Sequence, residues 1–252
     1  KIHNPATGAL LAELPADDAA SVVAKAAAAR AALPAWGRVP LAEKLAIVQR
    51  FRAGVVAELD ALATTLTQEV GKPISQARNE LNGLLPRIDF FVEQCAAAIR
   101  DEHVFDGGGM HEQISHIPLG VVANISAWNY PWSVGCNVIV PALLTGNTLL
   151  YKPSEYATLT GLEITRLLHK AGVPEDVMIC LVGGGADLDR CRVGGAGAAG
   201  PVAELTVVVA APAPGRAVGA HAAGVGAAGA DRGPGGGAGD PHGRQGRGGR
   251  AA

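Results

Sequence analysis

Residues 120–182 alternate between apolar runs of strand length and segments of helical length, and this alternation is the strongest constraint on the fold. Strand-like runs occupy 120–127, 147–152 and 177–182, and helical segments at 131–146 and 158–172 separate them. A strand, a helix and a second strand in succession form a unit whose strands are parallel. Two linked units predict an α/β fold with a partial, doubly wound parallel sheet of three strands.

The sequence before this sheet is predicted to be mostly helical. Residues 17–99 contain amphipathic segments, and Asp17 is a possible N-cap for the first of them. The first segment is predicted to end at Pro34 and the third to be interrupted near Pro86, because proline lacks the N–H that a helix interior requires. The second is predicted to begin at Pro40, because the first turn of a helix tolerates proline. We interpret these helices as packing scaffold.

The most distinctive residues of the chain follow the three predicted strands. They are WNYP at 128–131, KPSE at 152–155 and GGG at 183–185. Taken singly, WNYP is also typical of a rigid turn, KPSE of a solvated charged pair, and GGG of a strand-to-helix turn. Parallel strands end at one edge of their sheet, where open α/β sheets bind ligands, so together the three motifs predict a binding site.

Two of these motifs carry groups suited to catalysis and nucleotide binding. The amide of Asn129 is a rigid, neutral donor that suits a developing oxyanion, where such a group can lower the barrier by roughly 2.7–4 kcal/mol. Lys152 and Glu155 can hold the two ribose hydroxyls of an adenosine, because a carboxylate accepts both O–H groups. Both motifs are expected to face the same crevice.

These residues belong to a longer series of motifs. The series comprises NPATG from Asn4, EVGKP from Glu69, IPLGVVANISAWNYPW from Ile117, PALLTGNTLLYKPSE from Pro141 and AGVPEDVMICLVGGG from Ala171. In order and spacing the series resembles the NAD(P)-dependent aldehyde dehydrogenases, from residue 4 to about 186. One departure is Ala127, where that family often has proline.

The resemblance implies roles for particular residues. Asn129 is the implied oxyanion donor, with a small-molecule aldehyde as substrate and NAD, or alternatively NADP, as cofactor. The implied cofactor-binding residues are Ile125, Ser126, Trp128, Lys152, Ser154, Glu155 and Gly185. An arm near 101–119, which includes the alternating residues 113–117, is implied to pair subunits into a homodimer or homotetramer.

Composition changes abruptly at residue 187. Residues 187–252 contain no Phe, Trp, Tyr, Ile, Met, Asn, Lys or Ser, and Gly and Ala make up 35 of these 66 residues. Such a segment cannot bury enough apolar surface to fold. We therefore expect a partial cofactor-binding domain at 1–186 and a disordered, low-complexity tail of Gly, Ala, Arg and Pro at 187–252.

Two explanations of this tail remain open. A shifted reading frame in a GC-rich gene accounts for the abrupt bias in residue type. Alternatively, the GRQGRGGR segment near the C-terminus is an Arg-Gly element that binds single-stranded nucleic acid. Two G-x-G-x-x-G matches, from Gly195 and from Gly224, lie among so many glycines that we interpret them as chance.

The predicted function is oxidation of an aldehyde to a carboxylic acid by an intact parent enzyme. The family's nucleophilic cysteine and general-base glutamate follow the point where the resemblance stops. This chain is therefore interpreted as a truncated N-terminal part and is expected to be inactive. A non-catalytic dinucleotide-binding or subunit-pairing protein is the alternative.

The sequence gives little support for other functional classes of protein. A formal net charge of −2 gives no electrostatic case for a nucleic acid or membrane partner. No apolar run approaches the ~20 residues of a membrane-spanning helix, and a cytoplasmic location is expected. The four cysteines lack C-x-x-C spacing and are predicted to be buried thiols. The histidines are scattered along the sequence, so no metal site is predicted.

Overall fold

The computed structural model describes residues 1–184 and the backbone of one further strand at 205–209. These residues lie within a compact unit, Lys1–Ala217. Its helices are α1 (Ala19–Arg38), α2 (Leu41–Ala57), α3 (Leu59–Val70), α4 (Ile74–Ala98), α5 (Pro131–Leu144) and α6 (Thr158–Ala171). Its strands are β1 (Ile2–His3), β2 (Leu10–Ala12), β3 (Glu102–Gly107), β4 (Met110–Ile114), β5 (Val121–Ile125), β6 (Thr148–Lys152), β7 (Met178–Cys180) and β8 (Leu205–Val209).

The central sheet has four parallel strands in the order β7-β6-β5-β8. The first three strands and the two helices between them confirm the predicted pair of parallel βαβ units. The strand order reverses between β5 and β8, since the chain crosses from β7 to the far side of β5. In open α/β sheets this reversal marks the ligand crevice, at the carboxyl ends of the two central strands.

The expectation that the sheet ends with its third strand is wrong at Leu205–Val209. This segment pairs with β5 in parallel along its full length, from Val121↔Leu205 to Ile125↔Val209. Its sequence, LTVVV, consists mainly of β-branched residues, which favour strands. The average composition of residues 187–252 conceals this short run, because the residues around it are rich in glycine. The remainder of the predicted tail lies outside the described residues.

Helices cover both faces of the sheet. On one face, Val121, Leu150 and Leu181 pack with Ala29 of α1. On the other face, α5 and α6 separate the sheet from α2, α3 and α4, and their side chains form the larger hydrophobic core. Because both faces are covered, all five residues of β6 are buried.

The predicted helix breaks at prolines are wrong. Helix α1 continues through Pro34, and α4 continues through Pro86. Beyond Pro34, Trp36 is only 3% exposed and donates its Nε1–H to the carbonyl of Leu143 at 3.2 Å. Tertiary packing of this kind compensates for the hydrogen bond that proline cannot make.

The start of α1 is fixed to the carboxyl end of the sheet by Asp17. Asp18, rather than the predicted Asp17, caps the helix by accepting the Ser21 N–H at 2.8 Å. Asp17 instead exchanges hydrogen bonds with the backbone of Val182, just after β7, at 2.7 and 2.8 Å. Its carboxylate also accepts from Lys25 at 2.8 Å.

Strands β3 and β4 form an antiparallel hairpin that leaves its side chains exposed. The turn consists of Gly108 and Gly109, whose φ angles of +60° and +80° favour glycine. This confirms a hairpin arm, although the strand ends at Ile114 rather than at residue 117. In residues 1–184, none of the helices is both long and apolar enough to cross a membrane.

Candidate active site

The predicted residues of β5 and β6 meet at the carboxyl edge of the sheet. The Ser126 N–H donates to the carbonyl of Lys152 at 3.0 Å and extends the ladder between the two strands. The Lys152 side chain is only 4% exposed, and its Nζ lies 3.0 Å from Oε2 of Glu155, which is 47% exposed. The corner therefore presents a carboxylate to solvent with a buried ammonium behind it.

Two buried hydroxyls lie beneath this corner. Ser126 Oγ and Tyr151 Oη are both buried, and the serine hydroxyl interacts with that of the tyrosine. Helix α5 approaches them at Gly135, where a Cβ would lie 2.9 Å from Tyr151 Oη and 3.6 Å from Ser126 Oγ. Burial raises the pKa of Tyr151 well above its usual value, so this hydroxyl stays neutral.

Asn129 lies in the exposed loop between β5 and α5. Its backbone carbonyl accepts a hydrogen bond from Lys72 Nζ at 2.7 Å. The same ammonium lies 3.9 Å from the centre of the Tyr130 ring, a cation–π contact. Within residues 1–184 the side-chain amide of Asn129 has no hydrogen-bond partner, so it is available as a donor.

Glu80 of α4 fixes the start of α5, which follows this loop. Its buried carboxylate pairs with Lys72 and accepts the N–H groups of Trp132 at 2.9 Å and Ser133 at 3.4 Å. These are first-turn donors of a helix whose own N-cap residue, Tyr130, supplies no side-chain acceptor. Burial raises the pKa of Glu80, while Lys72 and the two amides oppose that shift.

Glu69 of α3 fixes the start of α6 in the same way, by accepting hydrogen bonds from its first turn. Its carboxylate accepts from the N–H of Leu159 at 2.6 Å and from the N–H and hydroxyl of Thr160, both at 2.8 Å. Sequence reasoning missed the roles of Glu69 and Glu80. The available signal is that both occupy buried positions of amphipathic helices, where a carboxylate requires partners.

A cavity of about 450 Å³ opens beside the WNYP loop, between α4 and the start of α5. Its lining comprises Gln76, Asn79, Glu80, Gly83, Tyr130 and Ser133. Tyr130 of the WNYP loop lines this cavity, whereas Asn129 does not.

The other predicted site residues flank this corner. Ile125 pairs with Lys152 at the ends of their strands, and Trp128 is 44% exposed. The hydroxyl of Ser154 accepts the Tyr156 N–H at 3.3 Å, so it stabilises the loop after β6. Gly185 lies outside the described residues.

The three cysteines in the described part of the chain are not activated thiols. Burial raises the pKa of Cys95, of Cys136 and, to about 11, of Cys180. Nucleophilic cysteines require the opposite shift. Cys95 and Cys136 are buried as predicted, and Cys180 is partly buried in β7. Cys191 lies outside the described residues.

Comparison with known proteins matches most of the chain to one enzyme family. A model of the aldehyde dehydrogenase family matches residues 1–194. A 3,6-anhydro-α-L-galactose dehydrogenase of Streptomyces coelicolor is 35% identical over 195 residues, which are 76% of this chain and 39% of that protein. An N-succinylglutamate 5-semialdehyde dehydrogenase of Chromobacterium violaceum is 38% identical over 184 residues, 73% of this chain and 37% of that protein.

A solved structure agrees with these sequence matches. The NAD-dependent benzaldehyde dehydrogenase of Corynebacterium glutamicum superposes with a TM-score of 0.71 at 25% identity, covering 76% of this chain and 42% of that one. The chain thus spans about two fifths of the length of the relatives that it matches.

Proposed function

The chain belongs to the aldehyde dehydrogenase family, and from that premise we propose that the full-length protein oxidises an aldehyde to the carboxylic acid with NAD(P) as hydride acceptor. The observation that carries the proposal is the corner formed by Ser126, Lys152 and Glu155 at the carboxyl edge of the sheet. It lies beside the reversal of strand order, where α/β sheets of this type bind nucleotides.

The residues at this corner suit the adenosine end of a dinucleotide. The half-exposed carboxylate of Glu155 can accept ribose hydroxyls, and buried Lys152 fixes its position. Ile125 and Trp128 would lie along the cofactor, and Ser154 would support the loop that holds Glu155. When bound, NAD(P) supplies the acceptor for a hydride.

Asn129 supplies the group that stabilises negative charge on the aldehyde oxygen. Lys72 holds the backbone of Asn129 and the ring of Tyr130, while Glu80 holds the first turn of the following helix. The backbone that carries the Asn129 amide is therefore held in place before the reaction begins. Such preorganisation makes an oxyanion donor effective, because no reorganisation is needed in the transition state.

The 252-residue chain alone is proposed to be inactive, since Cys95 and Cys136 are buried and Cys180 is partly buried, and this burial raises their pKa values. The same observation, beside an intact cofactor corner, favours a second candidate for this chain, a dinucleotide-binding protein without aldehyde chemistry. In either case the exposed apolar residues of the hairpin, Phe105, Met110 and Ile114, favour its role in pairing subunits.

The test of the proposed function is substitution of Asn129 in the full-length enzyme. Asn129→Ala is expected to lower kcat for aldehyde oxidation by roughly 10²–10³, because one oxyanion donor is lost, and to leave the Kd for NAD unchanged. NADH absorbance measures turnover, and calorimetry measures binding. Asn82→Ala, an exposed asparagine elsewhere on α4, is the matched control and is expected to change neither.

Two results would count against this assignment. An equal loss of NAD binding in Asn129→Ala would indicate that the residue only supports the loop. Turnover of aldehydes by the 252-residue chain would contradict its proposed inactivity and eliminate the second candidate.

A further inference from the structure

The hairpin of β3 and β4 gathers three metal-ligating side chains that are scattered in the sequence. His103, Asp106 and His111 each place one ligand atom within 4.8 Å of the other two. We propose that these residues bind a divalent transition-metal ion of the Zn²⁺ class. This site is separate from the cofactor corner and goes beyond the proposed oxidation of aldehydes.

A β-bulge creates the cluster. In a regular strand, residues three positions apart point to opposite faces, so His103 and Asp106 would be separated. Here the register shifts between His103 and Phe105, which leaves Val104 as the extra residue. His103 pairs with Gln113 and Asp106 pairs with His111. Since 111 and 113 share a face of β4, the bulge returns His103 to the face of Asp106 and His111.

The two-residue turn fixes the other half of the site. Gly108 and Gly109 join the strands directly, so Gly107 pairs with Met110 and Asp106 lies opposite His111. The imidazole rings of His103 and His111 lie edge to face with centres 4.6 Å apart. The Asp106 carboxylate is 3.9 Å from Nε2 of His103 and 3.8 Å from Nδ1 of His111.

This donor set suits Zn²⁺ chemically. Two imidazole nitrogens and one carboxylate oxygen form a common three-ligand set, with water completing the tetrahedron. Metal–ligand distances of about 2.0–2.1 Å require donor atoms about 3.3 Å apart, which is closer by about half an ångström than the 3.9 and 3.8 Å that separate Asp106 from the two imidazoles. The side chains of His103, Asp106 and His111 are 54%, 71% and 57% exposed, so small rotations can close that gap without disturbing a core.

The metal-binding face is distinct from the apolar face of the same hairpin. Phe105 and Met110 alternate with the proposed ligands along their strands and therefore point to the opposite side. Ile114 lies next to Gln113 and shares that opposite side. Subunit pairing through the apolar side would leave the three ligands accessible, so a metal ion and a partner subunit can bind at once.

The experiment is calorimetric titration of Zn²⁺ into the 252-residue chain after removal of metal by EDTA. Every variant is titrated at the same pH, in a buffer that does not bind Zn²⁺. His103→Ala, Asp106→Asn and His111→Ala are each expected to weaken Zn²⁺ binding by at least about tenfold, because each removes one ligand. Unchanged melting temperatures in EDTA would verify that these surface changes leave the fold intact.

The matched control is His116→Ala, which removes an exposed histidine two residues beyond β4. It is expected to leave Zn²⁺ binding unchanged. All variants keep Cys191 and the other histidines, so binding elsewhere contributes equally throughout. Equal Zn²⁺ affinity in the wild-type chain and the three ligand variants, or an equal loss in His116→Ala, would overturn the proposal.

Deletion of Val104 tests the geometry directly. The shortened chain keeps all three ligands but loses the extra residue that brings His103 to the common face. Zn²⁺ affinity is expected to fall to that of His103→Ala. Zn²⁺ binding as tight as in the wild-type chain would contradict the role assigned to the bulge and, with it, the proposed site.

Discussion

Glu155 is the residue whose charge is expected to discriminate between NAD and NADP. Its carboxylate is 47% exposed and faces the proposed position of the adenosine ribose. A carboxylate accepts a 2′-hydroxyl but repels a 2′-phosphate. The chain is therefore expected to bind NAD at least about tenfold more tightly than NADP, a difference of about 1.4 kcal/mol. Calorimetric titration with each cofactor measures this ratio.

The charge of Glu155 is expected to cause this preference. Glu155→Gln keeps the size of the side chain and should bring the two dissociation constants close together, mainly by strengthening NADP binding. Glu175→Gln removes an exposed charge just before β7 and should leave the ratio unchanged. Tighter binding of NADP by the unaltered chain would contradict the assignment.

The position of a single residue at the edge of the sheet was predictable from sequence where that residue lies at the end of a predicted strand. Lys152 ends a predicted strand, Asn129 and Glu155 follow predicted strands, and the sheet necessarily places those strand ends at one edge. Glu69 and Glu80 were not predictable in this way, because their partners lie 90 and 52 positions away along the chain. A buried carboxylate signals a need for donors, but the sequence does not say which helix supplies them.

At the scale of elements, the contact between α6 and the KPSE loop depends on one glycine. A Cβ on Gly161 would lie 2.5 Å from both Cβ and Cγ of Pro153, too close for a rigid ring to yield. Gly161→Ala is therefore expected to lower the free energy of unfolding by about 1–3 kcal/mol, although alanine is the better helix former. Urea denaturation measures the change.

Gly83 is the matched control for this substitution. It lies within α4 and has open space where a Cβ would be placed. Gly83→Ala is expected to raise the free energy of unfolding by about 0.5–1 kcal/mol, from helix propensity alone. Stabilisation by both substitutions would show that the loop after β6 moves freely away from α6.

Element boundaries were the weaker part of the sequence prediction. Proline predicted two helix breaks that packing overrides at Pro34 and Pro86. The cluster of metal-ligating side chains on the hairpin was not predictable from the scattered histidines. Its geometry depends on the bulge at Val104, which nothing in the sequence pattern of the strand indicates. Local rules describe what an isolated segment prefers, whereas tertiary contacts and irregular register decide these cases.

At the scale of the whole molecule, the position of the ligand crevice depends on the order of the strands in the sheet more than on the number of elements. The alternation of strands and helices correctly predicted the parallel β5-β6-β7 portion of the sheet. The strand at Leu205–Val209 pairs with β5 and places the reversal of strand order beside Ser126 and Asn129. Composition concealed this strand, because five residues contribute little to the average of a long glycine-rich segment.

The most direct test of the central claim is the affinity of the 252-residue chain for NAD, measured by calorimetry. We expect saturable binding that Lys152→Met weakens at least about tenfold, since the buried ammonium that fixes Glu155 is lost. Lys170→Met, an exposed lysine on α6, should bind NAD like the unaltered chain. No saturable binding of NAD, or equal binding by Lys152→Met and Lys170→Met, would contradict a cofactor site at this edge of the sheet.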